Sequence, residues 1–136
     1  MEKRNLGNTG TKVGALGIGA MSFSDFYGPT NTQESHAILK MAIDNGIDHI
    51  DTAKVYGMGL SEERIGQFLD TLNPKDRQFF KIATKGGIDR ENFDDKGTVV
   101  FDNSKEFLTE ELNNSLRRLG VDCVELYYVP VSYTHL

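Results

Sequence analysis

The chain has 136 residues, 38% hydrophobic and 26% charged, with 20 acidic against 15 basic side chains for a net charge of -5. That is enough chain to bury a core as one ordinary domain, and the balance excludes a disordered polymer. No basic block marks a nucleic-acid surface, no apolar run approaches the roughly 20 residues of a membrane span, and the N-terminus lacks a signal-peptide core. With a single cysteine, Cys123, a cytoplasmic protein without nucleic-acid or membrane partners is expected.

Asn8-Thr9-Gly10 reads as the turn of a small hairpin with arms at Arg4–Leu6 and Thr11–Val13. Four short apolar runs follow, at Ala15–Gly19, Ile47–Asp51, Phe79–Lys85 and Val121–Val129, with helix-periodic segments between them. That alternation predicts repeated βα units and a parallel sheet. The first helix is expected to start at a capping box formed by Asn31 and Glu34 and to stop at Asn45-Gly46, with Ile38, Met41, Ala42 and Asn45 on one face. The second starts at Ser61, carries Glu62 and Glu63 in its first turn, and has a stripe of Ile65, Phe68, Leu69 and Leu72. Residues 88–102 read as a polar loop containing Asp89, Arg90, Glu91, Asp94, Asp95, Lys96 and Gly97. Asn103 and Glu106 open the third helix, whose stripe is Leu108, Leu112, Ser115, Leu116 and Leu119, and Gly120 ends it. His36 and His49 have no partner at metal-ligand spacing and read as structural. Cys123 reads as a small buried strand residue. Gly17-x-Gly19 lacks the third glycine of a dinucleotide-binding fingerprint.

In parallel α/β folds the working residues gather at the carboxyl ends of the strands. Asp51 ends the second apolar run, Lys85 ends the third, and Tyr56 lies in the connection after Asp51. Neighbouring strands about 4.8 Å apart would let Asp51 and Lys85 meet. A lysine beside a carboxylate stays charged, and a charged lysine assists proton release from a tyrosine next to it. The three residues make a plausible proton-donating constellation, although each alone is also an ordinary surface residue.

Asp51-Thr52-Ala53-Lys54-Val55-Tyr56-Gly57 followed by Ser61-Glu62-Glu63 resembles the signature of the aldo-keto reductase family. Ile82-Ala83-Thr84-Lys85-Gly86-Gly87 resembles the same family, as do Asn5–Gly10, Leu16–Met21 and Ser115–Asp122. The likeness runs from about Arg4 to Val129, and Phe26-Tyr27-Gly28-Pro29 is most similar to the family's bacterial small-molecule reductases. It implies an α/β fold, the N-terminal half of a TIM (β/α)8 barrel with an N-terminal β-hairpin and four parallel strands. It also implies an oxidoreductase that uses NADP(H) to reduce small-molecule aldehydes or ketones. By that resemblance Tyr56 is the general acid, Lys85 assists it and Asp51 pairs with Lys85. Gly19, Ala20, Met21 and Asp51 line the nicotinamide end of the cofactor, and no metal takes part.

The family places a catalytic histidine just after a Leu-Tyr-Tyr-Val-like run. Here Leu126–Val129 is followed by Pro130. His135 lies in a segment without family likeness and reads as a tail residue. Residues 130–136 are expected to be a foreign tail, since Val131–Leu136 can be encoded by a sequence resembling a common sequencing-adapter end. Residues 1–129 then form a partial domain, inactive alone, and its two outer strands leave edges open to self-association. The alternatives are a non-catalytic binding or regulatory module of the same family and a fragment without function. Phe23 and Tyr27 could contact substrate or pack the barrel rim.

Overall fold

The computed structural model describes residues 1–93 and 99–130, with residues 90–93 described by backbone alone. The hairpin forms from β1 (Lys3–Asn5) and β2 (Lys12–Gly14), which pair antiparallel with Arg4 opposite Val13. Its turn closes through Leu6 N–H donating to Thr11 O at 2.8 Å. A 3-10 turn at Ala20–Ser24 then follows β3 (Gly17–Gly19). Next come α1 (Thr32–Asp44), β4 (His49–Asp51), α2 (Leu60–Asp70), the short α3 (Pro74–Arg77) and β5 (Lys81–Lys85). The remaining elements are β6 (Ile88–Phe93), β7 (Val99–Phe101), α4 (Lys105–Leu119) and β8 (Leu126–Tyr128).

β3, β4, β5 and β8 form one four-stranded parallel sheet in that order. Each strand joins the next through helical segments, as in a (β/α) barrel. Only the last part of each apolar run pairs. Ala15 and Leu16 are exposed, and Val121–Glu125 only leads into β8. At that entry the Glu125 carboxylate accepts the Ile82 N–H at 2.7 Å, while Glu125 N–H donates to Ile82 O at 2.9 Å. A side chain thereby satisfies a backbone donor that the ladder would otherwise have to satisfy.

Side chains alternate across the sheet. Ile50 and Ile82 face the helices and join Leu39, Ala42, Ile65, Phe68, Leu69, Phe80 and Leu119 in the core. Each fully buried leucine or isoleucine contributes about 1.5–3 kcal/mol relative to exposure. His49, Asp51, Lys81 and Lys85 alternate with these residues and take the opposite, inner face.

The structure corrects several readings. On α1 the buried residues are Ser35, Leu39 and Ala42, while Ile38 and Met41 are 45% and 65% exposed. Rotating the face by one residue brings Leu39 onto the sheet and leaves two apolar side chains outside. Ser61 is inside α2 rather than its cap. The N-cap is Gly59, and the Ser61 hydroxyl donates to Ala20 O at 2.8 Å. Ser104, not Asn103, caps α4, its hydroxyl accepting the Phe107 N–H at 3.3 Å. The loop expected at 88–102 contains the antiparallel pair β6–β7. Isolated Val99, Val100 and Phe101 were too short a run to register as a strand beside that charged segment. Asp94, Asp95, Lys96 and Gly97 lie outside the described residues. Cys123 is exposed and precedes β8, so it is not a core strand residue. The tail from Val131, with His135, also lies outside the described residues.

Candidate active site

The carboxyl ends of β3, β4 and β5 bring Gly19, Asp51 and Lys85 to one end of the sheet. The register sets Gly19 opposite Asp51 and Asp51 opposite Ala83. Lys85 is two residues beyond Ala83, on the same face, and its long side chain reaches across to Asp51. The turn after β4 delivers Tyr56 to the same point.

An ammonium has three N–H donors and no acceptor. Lys85 Nζ donates to Asp51 Oδ1, to Thr52 O at 2.9 Å and to Tyr56 OH at 3.1 Å. The Tyr56 oxygen therefore acts as acceptor toward lysine, and its own O–H hydrogen is left to point elsewhere. Lys85 Nζ also lies 4.8 Å from the Tyr56 ring centroid and 5.7 Å from that of Tyr128. Burial alone would lower the lysine pKa, but the bonds and charge of Asp51 and Tyr56 outweigh it and hold Lys85 above its usual 10.5. Lys85 is thus a fixed cation at neutral pH. Such a group favours negative charge growing on the phenol oxygen while its proton leaves.

The turn that carries Tyr56 is an improbable backbone. Gly57, Met58 and Gly59 have φ of 67°, 55° and 100°. A Cβ on Gly57 would stand 2.9 Å from Ser24 Cβ, so this residue must be glycine where the turn crosses the 3-10 segment. Met58 adopts the same left-handed region at a cost. Contacts around the turn fix it. The Ser61 hydroxyl reaches both Ala20 O and the Thr52 hydroxyl, and Ser61 N–H donates to Tyr56 O at 3.2 Å.

Behind the sheet lies a buried polar layer that the sequence reading missed. Glu62 is fully buried, and its carboxylate accepts from Thr84 Oγ1 at 2.6 Å and Arg118 Nε at 2.7 Å. Lys54 pairs with Glu111 at 3.0 Å. Tyr127 donates to Leu108 O at 3.4 Å, and burial, with Glu111 and then Glu62 nearby, pushes its phenol up to about 12. The signal was present in α4. Glu111 falls at a buried position of the Leu108–Ser115 stripe, where a carboxylate requires a partner.

The other candidates divide. A Cβ on Gly19 would meet nothing within 4 Å, so the space beside Asp51 is open. Met21 is half-buried, while Ala20 turns its methyl into the core, away from the open face. Phe23 is a core residue and Tyr27 is 72% exposed against Phe26. His36 Nε2 contacts Arg64 O and His49 Nδ1 contacts Lys81 O, each at 3.0 Å, as expected of structural histidines.

The chain is similar to known proteins. The aldo/keto reductase family model matches residues 15–132. Aldo-keto reductase yakc [NADP(+)] of Schizosaccharomyces pombe is 34% identical over 93% of this chain and 35% of its own length. L-galactose dehydrogenase of Arabidopsis thaliana is 35% identical over 94% of this chain and 37% of its own. A crystal structure assigned as an aldo-keto reductase from Pseudomonas aeruginosa superposes with a TM-score of 0.76 at 38% identity, covering 93% of this chain and 46% of that one. The holo form of a Bacillus halodurans aldo-keto reductase also gives 0.76, at 34% identity over 93% and 39%. The chain thus spans between a third and a half of the length of these relatives.

Proposed function

The chain belongs to the aldo/keto reductase family, and from that premise we propose that Asp51, Tyr56 and Lys85 form the proton-transfer half of an NADP(H)-dependent carbonyl reductase. The substrate class is small aldehydes and ketones, reduced to alcohols. The observation that carries the reading is the Lys85-to-Tyr56 hydrogen bond at 3.1 Å. It turns the phenol oxygen into an acceptor on one side and leaves its proton for a carbonyl oxygen on the other. Asp51 holds the ammonium in place, and the Thr52 carbonyl fixes its third N–H.

The residues present fit the nicotinamide end of the cofactor. Gly19 and Asp51 stand side by side, and the absent Cβ of Gly19 leaves the backbone approachable by a flat ring. Gly19, Met21 and Asp51 would line it. NADPH, when bound, supplies the hydride. The phosphate-binding loops of this fold follow the seventh and eighth strands, and four parallel strands are described here. The 136-residue chain alone is therefore expected to bind cofactor weakly and to show no measurable turnover.

The test is a chimaeric barrel. Residues 4–129 replace the matching segment of the Pseudomonas aeruginosa relative, and NADPH oxidation is followed with an aromatic aldehyde. Turnover that Tyr56→Phe reduces by about 100-fold or more, the scale of lost general acid catalysis, supports the assignment. A folded chimaera without turnover, or one indifferent to Tyr56→Phe, overturns it.

A further inference from the structure

The buried pair Lys54–Glu111 has no part in the proton-donating trio. Lys54 stands in the turn between β4 and α2, two residues before Tyr56, and Glu111 lies midway along α4. Their side chains are 11% and 8% exposed and meet at 3.0 Å. Burying two opposite charges costs more than burying an apolar pair of the same size unless the geometry is good. Leucine at residue 111 would extend the stripe of α4 without that cost, so a carboxylate there needs a reason.

Three observations supply one. First, Glu111 Oε1 faces Lys54, while Oε2 is buried and accepts no hydrogen bond among the described residues. The carboxylate's compensation therefore rests on the Lys54 contact. Second, Glu111 lines a cavity of about 10 Å³ together with Val55, Lys85, Gly86 and Ile88. Glu111 thus shares a cavity wall with Lys85, and its partner Lys54 is joined to it there. Third, the turn just beyond Lys54 runs through three consecutive left-handed residues, Gly57, Met58 and Gly59. Gly57 and Gly59 adopt that region freely, but Met58, with φ of 55°, persists there only where its surroundings over-determine it. The far end of the turn is fixed by Ser61, on Ala20 O and Thr52 Oγ1. Its near end has Lys54 anchored to α4.

We infer that the Lys54–Glu111 ion pair is a positioning device, which fastens the near end of the turn to α4 and so keeps the Tyr56 hydroxyl within hydrogen-bonding reach of Lys85. The inference rests on the reading of Tyr56 as proton donor. Lys54 and Glu111 touch neither substrate nor cofactor and act through Tyr56.

Nuclear magnetic resonance on the chain with isotope-labelled tyrosine and lysine tests it. Tyr56→Phe assigns the Tyr56 ring signals. In the unaltered chain a Tyr56–Lys85 proximity signal is expected. The double variant Lys54→Met with Glu111→Leu removes both charges of the pair together. It should keep the amide signals of β4, β5 and α2, lose the Tyr56–Lys85 proximity signal, and move the Tyr56 ring to the shifts of an unstructured tyrosine. Lys54→Arg, which keeps the charge, should retain both signatures. A folded double variant with the Tyr56–Lys85 contact intact overturns the inference. So does outright unfolding of that variant, which would make the pair a prop of the whole fold. A chimaeric barrel without turnover, in a chain whose Tyr56–Lys85 contact still depends on Lys54, refutes the catalytic reading and leaves the positioning device standing.

Discussion

Lys85 finds an acceptor for each of its three N–H bonds in Asp51, Thr52 O and Tyr56, which fixes the direction of every hydrogen bond in the trio. Two other residues make pH predictions. Tyr127 is raised from 10.0 to about 12, first by burial and then by Glu111 and Glu62. A group held protonated in the fold contributes stability that is complete below its unfolded value and lost as pH rises through the folded one. Stability should therefore fall between pH 10 and about 12, and Tyr127→Phe should flatten that limb in urea titrations. Asp48 is the opposite case. Burial pushes it up, but the Lys3 bond, the Gly14 N–H at 2.6 Å and the Lys3 charge outweigh that and hold it below 3.8. Its contribution is complete above 3.8 and disappears as pH drops through the lowered value. Asp48 ties the hairpin to the start of β4 through Lys3 and the Gly14 N–H, and Asp48→Asn should weaken the loss of stability seen in urea titrations below pH 3.8.

At the scale of elements, end signals were readable where one residue acts on its own helix. Asn31 caps α1, its side chain accepting the Glu34 N–H at 2.9 Å. The α4 cap was read one residue early, at Asn103; the Ser104 hydroxyl accepts the Phe107 N–H instead, and Ser104→Ala should cost about 1 kcal/mol, measured as a lower urea midpoint with unchanged slope. The face of α1 was not readable, because Ile38, Leu39, Met41 and Ala42 permit two stripes and only the sheet selects Leu39 and Ala42. Nor was β6–β7, because Asp89, Arg90, Glu91 and Asn92 interrupt the apolar residues of β6 and hide the strand. The stripe of α4 was legible in outline, yet it contained Glu111, whose partner lies on a different element.

At the scale of the molecule, the parallel sheet of the described residues has two outer strands, β3 and β8. Unpaired edges of this kind template association with other chains. Exposed Ile38 and Met41 stand on the outer side of α1, and exposed Tyr128 and Val129 lie at the β8 end. We propose that the chain self-associates through these edges. Sedimentation at increasing concentration should give masses above the 15.2 kDa of one chain. A compact monomer that unfolds cooperatively at every concentration would contradict this.

The sequence by itself determined the succession of βα units, the hairpin, the cap of α1, the stops of α1 and α4, and the meeting of Asp51, Tyr56 and Lys85. Those features depend on local spacing and on residue chemistry, which a linear chain displays. Only the tertiary structure decided which face of α1 is buried, that Ser61 braces the Tyr56 turn rather than capping α2, and that Glu62 and Glu111 are buried charges with partners on other elements. Such pairings lie 22 to 57 residues apart, as in Thr84 with Glu62 and Lys54 with Glu111. No periodicity encodes them, because desolvation and ion pairing depend on which surfaces the fold brings into contact.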